Sequence, residues 1–443
     1  MRSVLAKLIQ PAQYLAFVNV LLGGLGLIQS LWVARGLSLV ALGVVAVITG
    51  VNNTLLNFID VRLADLAARL YYRPVTPDPR VYQASVLVLC LIGNAGLSVV
   101  LGLASIAVSA WVVPAITSAP VALGWFAAQA AATGLGNLTN TLNYLQRFSG
   151  RFVLFGTWRL GIRLAAVLVF GGVFASEYSL DRYYLGLVLG NGVACLLTGL
   201  VTAVVWLRAE ALPLGRRAVF TRAWPAYRQS GRFLFYGNML GYAKLLHRAA
   251  DVLVVGWLTD DTVTGLYKFA RSLSDSLYLI FDAVNQVYQP RCLELLASGA
   301  EGAYRALARR SVLWVTAALA GVLLGELLLL RPALSWLFAD KFAGSEGAII
   351  ILTFPVWFVL GVHLWLWPLF VHSGRLGQFT VMSLIAGASQ HLIYGLVLVV
   401  TGPAVSVAGL ALGYLAHYLV LYPAAVLLAR ARHGAYLPRF GPR

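Results

Sequence analysis

The residues best suited to do chemistry in this chain are charged side chains inside long apolar runs. They comprise six cations and four acids: Arg159, Arg163, Lys244, Arg248, Lys268 and Arg271, and Asp251, Asp275, Asp282 and Glu326. A charge at the centre of a bilayer costs about 2.5–3.5 kcal/mol on insertion scales, so such residues are expected to face protein, water or an opposite charge. Because guanidinium groups bind phosphate oxygens in bidentate geometry, these cations predict an anion site.

Sequence spacing indicates which of these charges can pair. Arg248 and Asp251 are three residues apart, and Arg271 and Asp275 are four apart, so each pair can meet on one helix face. Arg159 and Arg163 are also four apart, but the apolar run around them contains no acid. The excess of positive charge predicts a water-filled cationic cavity that holds an anion such as a lipid diphosphate. Internal neutralisation of the pairs and snorkelling of the arginines are the alternative interpretations.

The composition identifies the elements that must position these charges. Of 443 residues, 60% are hydrophobic and 11% are charged, and the mean hydropathy is +0.81. Soluble domains carry about 25% charged residues, so this chain has too few to cover their surfaces. The composition excludes a soluble enzyme, a nucleic-acid-binding domain and a disordered protein. It predicts an all-α integral membrane protein.

Twelve apolar runs are long enough to serve as transmembrane helices. They lie near residues 12–34, 38–59, 84–110, 114–134, 152–174, 183–207, 229–257, 262–287, 311–331, 347–371, 378–400 and 404–429. The first run follows Arg2 and Lys7 but lacks a cleavage site, so it is interpreted as an uncleaved first helix.

The orientation of these spans follows from their basic loops. With this assignment, 23 Lys and Arg side chains lie in the even loops and termini, and 4 lie in the odd loops. The positive-inside rule therefore predicts a multi-pass protein of the cytoplasmic (inner) membrane with both termini in the cytoplasm. The net charge of +17 is then a topology signal that faces anionic lipid, and no nucleic-acid partner is expected.

The span pattern also predicts two six-helix lobes. Residues 1–210 form the N-terminal lobe, 211–228 a basic cytoplasmic linker, and 229–443 the C-terminal lobe with a cytoplasmic tail. A weak internal repeat supports this division, because Gly43 precedes Asp60 by the same interval that separates Gly265 from Asp282. Paired lobes are a common plan of transporters.

No motif points to catalysis or to a resident cofactor. Cys90, Cys195 and Cys292 have neither disulfide nor metal spacing, so no metal site is predicted. A membrane acyltransferase would be expected to show a His with a nearby Asp partner, and a glycan polymerase would be expected to have a long outer loop. The sequence lacks His-x-x-x-x-Asp, and its longest outer loop, about 332–346, is short. We therefore expect a transporter that is not an enzyme and has no cofactor.

Several short motifs resemble those of one transporter family. The strongest are Arg248-Ala249-Ala250-Asp251 followed by an apolar run to Gly256, then Thr264-Gly265-Leu266-Tyr267-Lys268-Phe269-Ala270, then Gln289-Pro290-Arg291. A weaker one runs from Ala34-Arg35-Gly36-Leu37 to Gly43. Together with the helix count and length, they resemble the Wzx-type polysaccharide-biosynthesis flippases of the multidrug/oligosaccharidyl-lipid/polysaccharide (MOP) exporter superfamily.

This resemblance implies a MATE-like flippase that moves a polyprenyl-diphosphate-linked oligosaccharide by alternating access, for O-antigen, capsule or exopolysaccharide biosynthesis. The implied substrate-binding residues are Arg159, Arg163, Lys244, Arg248, Lys268 and Arg271. Asp251 and Asp275 are the implied ion-coupling or gating residues. The implied partners are the lipid-linked glycan, membrane lipid and the polysaccharide polymerase or chain-length machinery, and a monomer is the default state.

Other transporters of the same superfamily remain open as alternatives. A peptidoglycan-precursor flippase typically has more than the twelve spans counted here. A drug exporter for cationic compounds is expected to have an acidic cavity, whereas the intramembrane charges of this chain are mainly basic.

Overall fold

The structure, a computed structural model, consists of helices throughout the part of the chain that it describes. The described residues are 2–59, 63, 66–67, 70, 79–146, 152–208, 224–230, 250–373, 375–401 and 406–433. The first half forms α1 (Arg2–Gly36), α2 (Leu39–Ile59), α3 (Pro79–Ile116), α4 (Leu123–Gln146), α5 (Phe152–Ser176) and α6 (Leu180–Arg208). The second half forms α7 (Asp251–Leu258), α8 (Asp261–Ala297), α9 (Glu301–Phe338), α10 (Glu346–Trp357), a π-helical segment (Phe358–His363), α11 (Leu364–His372), α12 (Leu376–Thr401) and α13 (Val407–His433).

The helices confirm the predicted all-α membrane fold. Nine stretches of the described residues are long and apolar enough to cross a membrane. Two more predicted spans, 114–134 and 262–287, correspond to the more polar helices α4 and α8. The span predicted at 229–257 lies mostly outside the described residues, which include only its last part as α7.

The break between the third and fourth spans does not lie where the sequence predicts it. The sequence places a break between spans near residues 111–113, whereas α3 continues through Pro114 to Ile116 and the chain turns over residues 117–122. The turn is stabilised by Asp261, whose Oδ2 accepts hydrogen bonds from Ser118 N (3.0 Å), Ser118 Oγ (2.8 Å) and Ala119 N (3.2 Å). A distant carboxylate therefore defines where the loop lies.

Several helices of the two halves begin and end at equivalent sequence positions. Four boundaries in the second half fall 222 residues after their counterparts: α1 ends at Gly36 and α7 at Leu258, α2 begins at Leu39 and α8 at Asp261, and α3 (Pro79–Ile116) corresponds to α9 (Glu301–Phe338). The N-caps also correspond. Ser38 Oγ accepts from Ala41 N at 3.1 Å, and Asp260 Oδ1 accepts from Val263 N at 2.7 Å. The repeat signalled by Gly43 and Gly265 thus extends over three helices of each half.

The two repeat glycines meet where α2 crosses α8. A Cβ added to Gly43 would overlap the carbonyl oxygen of Asp261, and a Cβ added to Gly265 would overlap that of Leu39. Each glycine therefore faces the residue four positions before the other. This reciprocal contact is expected when equivalent helices pack about a local two-fold axis, and the close approach of the backbones requires glycine at both positions.

The loops that follow α3 and α9 make a second reciprocal contact. The loop after α3 donates to Asp261 at the start of α8, as described above. The loop after α9 supplies Lys341, whose Nζ donates to Ala34 O (2.5 Å) and to Leu37 O at the end of α1. Burial lowers the pKa of the Lys341 ammonium. Each loop is thereby held against the first hairpin of the other repeat.

The chain forms two compact units. Unit 1 comprises residues 1–47, 116–119 and 246–443, and unit 2 comprises residues 48–115 and 120–245. In unit 2, Tyr227 donates to Val86 O at 3.0 Å within a buried cluster that includes Tyr82 and Cys90. In unit 1, a buried cluster contains Tyr278, Val356, Leu360 and Leu364. The predicted linker at 211–228 stays a prediction, because residues 209–223 lie outside the described ranges.

Candidate functional site

Among the described residues of unit 1, Arg271 is the centre of a buried, charged site. Its Nε lies 3.3 Å from Asp251 Oδ2, and its NH1 lies 2.5 Å from Asp275 Oδ1. Asp251 stands at the start of α7, whereas Arg271 and Asp275 lie one turn apart on α8. The side chains of Asp251 and Arg271 are 0% and 3% exposed, and that of Asp275 is 46% exposed. Asp251 and Arg271 are therefore desolvated, whereas the Asp275 carboxylate is open to solvent.

Aromatic and amide side chains surround this ion pair. Tyr267 donates to Asp251 Oδ2 at 3.2 Å and shares a 2.9 Å hydrogen bond with Tyr394. Gln390 donates to the Tyr394 hydroxyl at 3.0 Å. The guanidinium carbon of Arg271 lies 4.0 Å from the centroid of the Tyr414 ring, a cation–π contact. The network links α7, α8, α12 and α13 within unit 1.

The predicted pairing of these charges is confirmed in one case. Arg271 and Asp275 form the ion pair that their four-residue spacing indicates. Asp251 forms its described ion pair with Arg271, while its predicted partner Arg248 lies outside the described residues. The Arg271 guanidinium contacts two carboxylates and the face of one aromatic ring. These contacts favour a role for Arg271 in holding helices together over its predicted role as a phosphate ligand.

Local sequence patterns do not identify the other members of this network. Tyr267 belongs to the Gly-x-Tyr-x-x-Ala motif of α8, but the motif assigns no role to its hydroxyl. Gln390, Tyr394 and Tyr414 lie more than a hundred residues away, on α12 and α13. No spacing rule connects them to Asp251, so only the folded arrangement could identify them.

The corresponding position in unit 2 carries a neutral network. Asn52 and Asn53 on α2 correspond to Ser274 and Asp275 on α8 in the repeat. Asn52 is 3% exposed, accepts from Ser105 Oγ at 2.7 Å and donates to Thr133 Oγ1 at 2.5 Å. The bonds join α2, α3 and α4. Inter-helix bonding, rather than a ligand, accounts for the described contacts of Asn52.

Arg159 and Arg163 lie on the protein-facing side of α5. They share a helical stripe with the buried residues Phe155, Ile162 and Phe170, and both are half-buried. The opposite stripe, which includes Leu154, Trp158, Leu164 and Leu168, is exposed. Arg163 lies eleven residues beyond the start of α5, which corresponds to about 16 Å along the helix. The two arginines therefore lie on the side of α5 that packs against protein, and Arg163 lies about three turns into the helix.

The remaining predicted site residues are placed less completely. Lys268 is half-buried on α8, one turn before Arg271, and makes no salt bridge within the described residues. Lys244 and Arg248 lie outside the described residues, as does the side chain of Asp282. Glu326 on α9 accepts a 2.8 Å hydrogen bond from Thr353 Oγ1 on α10. Over the described residues, no group of three or more His, Cys, Asp or Glu side chains is placed to hold a metal.

Comparison with known proteins identifies the fold. No protein-family model and no curated protein matches the sequence. Among solved structures, the lipid II flippase MurJ in its inward closed conformation aligns with a TM-score of 0.69 and 10% identity, covering 94% of this chain and 87% of that one. A point mutant of the Vibrio cholerae MATE transporter VcmN aligns with a TM-score of 0.60 and 15% identity, covering 98% and 99%. An inward-facing multidrug resistance MATE family transporter of the MOP superfamily gives 0.60 and 16%, covering 95% and 98%.

These similarities confirm the fold that the sequence motifs implied. The chain is a multi-pass membrane protein with the fold of MOP superfamily transporters. The three solved structures named above are a lipid II flippase and two MATE transporters.

Proposed function

We propose that this chain, which has the fold of MOP superfamily transporters, is a flippase for a polyprenyl-diphosphate-linked oligosaccharide. It would carry the sugar head across the cytoplasmic (inner) membrane by alternating access, while the lipid tail stays in the bilayer. The product would supply O-antigen, capsule or exopolysaccharide synthesis, and the polymerase or chain-length machinery would be its functional partner.

The observation that carries this proposal is the placement of Arg159 and Arg163. Two arginines one turn apart, deep in an apolar helix without acids, add two positive charges to the protein-facing side of α5. A diphosphate is negatively charged and offers oxygens that match the guanidinium fork. Lys268, Lys244 and Arg248 are the further substrate-binding residues of this proposal, and each is a cation in the C-terminal half of the sequence.

In this mechanism the two charged sites have different tasks. Arg159 and Arg163 would bind the diphosphate when the cavity opens to the cytoplasm and release it when the cavity opens outward. Arg271 would pair with Asp251 and Asp275, so that the network acts as a gating element whose contacts differ between the two states. A ligand can shift such an equilibrium only by binding one state more tightly than the other.

A leaflet-transfer assay tests the proposal. Purified full-length protein is reconstituted into liposomes that carry a labelled polyprenyl-diphosphate oligosaccharide in one leaflet, and an impermeant glycosidase reports what reaches the other. Removing a hydrogen bond to a charged group costs about 1.5–3 kcal/mol, so Arg159→Gln/Arg163→Gln should slow transfer by about 100-fold or more. Arg159→Lys/Arg163→Lys keeps the charge without the fork and should fall in between.

The matched control is Arg228→Gln/Arg430→Gln, which removes the same charge from exposed positions on the predicted cytoplasmic side. Its transfer should equal that of the wild type. Wild-type rates in a folded Arg159→Gln/Arg163→Gln variant would disprove the cationic site. Transport of cationic drugs without transfer of any lipid-linked glycan would replace the proposal with the drug-exporter alternative.

A further inference from the structure

We infer that α9 carries a binding site for the headgroup of an anionic phospholipid, at the end that begins with Glu301. The site is an open surface pocket of about 600 Å³ lined by Ala306, Arg309, Arg310, Leu313, Trp314 and Ala317. This inference does not depend on which substrate the protein transports. We refer to these six residues as the α9 pocket.

The α9 pocket follows from the helical spacing of its residues. Ala306, Arg310, Leu313 and Ala317 recur at intervals of three or four and therefore form one stripe along the helix. The two alanines leave a shallow floor, and the long side chains of Arg310 and Leu313 rise from it. Arg309 and Trp314 flank the stripe on opposite sides. The result is a groove with cationic walls at one end and apolar walls at the other.

The two arginines of the α9 pocket are exposed and make no ion pair within the described residues. Other surface arginines of this chain do pair: Arg291 NH1 lies 2.6 Å from Glu294 Oε2, and Arg182 Nε lies 3.6 Å from Glu177 Oε2. Adjacent like charges without a counter-charge attract an anion from outside the chain.

The position of the α9 pocket along the helix indicates what kind of anion it takes. α9 has 38 residues and is about 57 Å long, whereas the hydrocarbon core is about 30 Å thick. The apolar stretch, 311–330, holds one charge and starts directly after Arg310. Arg309 and Arg310 therefore lie at the level of the headgroups. Leu313 and Trp314, 54% and 72% exposed, lie at the level of the first acyl carbons.

A phospholipid matches both ends of this groove. Its phosphate would lie between the two guanidinium groups, and its acyl chain would pack along Leu313, Trp314 and Ala317. A free phosphate ion would leave the apolar end unused. The positive-inside rule places this end of α9 on the cytoplasmic side, where anionic lipids attract basic residues. Charge complementarity thus favours an anionic lipid over a zwitterionic one.

Lipid titration of the intact protein tests this inference. Full-length protein in neutral detergent is titrated with phosphatidylglycerol or phosphatidylcholine, and bound lipids are counted by native mass spectrometry. Each arginine near the surface contributes about 1 kcal/mol, so Arg309→Gln/Arg310→Gln should weaken the tightest phosphatidylglycerol site by about 30-fold. Arg309→Lys/Arg310→Lys should retain most of the affinity. Trp314→Ala should weaken it less than the loss of both charges.

The control is again Arg228→Gln/Arg430→Gln, which loses two exposed charges outside the α9 pocket and should bind phosphatidylglycerol as the wild type does. Three results would overturn the inference: unchanged binding in a folded Arg309→Gln/Arg310→Gln variant, an equal loss in the control, or equal binding of phosphatidylcholine. A fourth is one-for-one displacement of phosphatidylglycerol by a polyprenyl diphosphate, which would assign the pocket to the transported substrate. Neither inorganic phosphate nor diphosphate should displace the lipid.

Discussion

The two repeats of this chain share four helix boundaries but carry different polar networks on their second helices. At the second helix of the first repeat, the neutral side chain of Asn52 bonds Ser105 and Thr133. At the second helix of the second repeat, Asp275 and Arg271 belong to a charged network with Asp251. Helix boundaries depend on local caps and apolar run lengths, whereas polar networks depend on which side chains several helices bring together. Helix boundaries can therefore stay the same in two repeats whose polar networks differ.

The loops that follow the third helix of each repeat show the same divergence. The loop of the first repeat uses backbone and hydroxyl donors toward the Asp261 carboxylate. The loop of the second repeat uses the Lys341 ammonium toward backbone carbonyls. In each repeat, the loop forms hydrogen bonds with groups at the end of a helix in the other repeat. The charged partner is a carboxylate in one case and an ammonium group in the other.

The largest expected effect comes from removing the cation of the charged network. Arg271→Ala would leave Asp251 buried without its counter-charge, which should lower the free energy of unfolding by about 3–5 kcal/mol. Thermal and denaturant unfolding in detergent would measure the loss. The triple variant Asp251→Asn/Arg271→Gln/Asp275→Asn gives the second repeat a neutral network like that of the first, and it should be more stable than Arg271→Ala. If Arg271→Ala is as stable as the wild type, the charged network has no structural role.

The next largest effect is expected from the two glycines where α2 crosses α8. Gly43→Ala and Gly265→Ala each place a methyl group against a backbone carbonyl, and each should cost about 1–3 kcal/mol of unfolding free energy. Gly161→Ala on α5 is the control, because its added methyl meets nothing within 4 Å. This control should be neutral or stabilising, since glycine is unfavourable inside a helix. A cost at only one of the two crossing glycines would contradict the reciprocal contact.

Lys341 provides a smaller effect that depends on pH. Its pKa is lowered by burial, so the unfolded chain binds this proton more tightly than the folded one. Stability should therefore rise with pH between the lowered folded pKa and the unfolded value of about 10.4. Lys341→Met should abolish this rise and cost about 1 kcal/mol through lost hydrogen bonds. Lys341→Arg should also abolish the rise while keeping donors for Ala34 O and Leu37 O. A rise that persists in both variants must come from another group.

The smallest effect is expected in the neutral network. Asn52→Ala removes the bonds to Ser105 and Thr133, and polar bonds between transmembrane helices average about 0.6 kcal/mol. The unfolding free energies of Asn52→Ala and Arg271→Ala should be measured in the same detergent. The loss should be smaller in Asn52→Ala than in Arg271→Ala. Equal losses in the two variants would show that the charged network contributes no more to stability than the neutral one.

Much of the fold can be predicted from the sequence because its signals are local. The apolar runs predict the spans, and the four-residue spacing of Arg271 and Asp275 predicts their ion pair, which is confirmed. The equal intervals after Gly43 and Gly265 predict a repeat. The turn at residues 117–122 lies where the sequence predicts a span, and Asp261, far away in sequence, stabilises it. The predicted substrate roles of Arg159, Arg163 and Lys268 stay predictions that the transfer assay can decide.

By itself, the sequence determined the membrane class, most of the described helices and the Arg271–Asp275 pair, since these depend on hydropathy and on a distance of four residues. Only the tertiary structure decided that Arg271 joins Asp251 to Asp275 and that Tyr394, Gln390 and Tyr414 complete this network. It also decided that Arg159 and Arg163 face protein rather than lipid. The physical reason is that burial and electrostatic pairing depend on which helices pack together, and residues separated by more than a hundred positions carry no local signal of that packing.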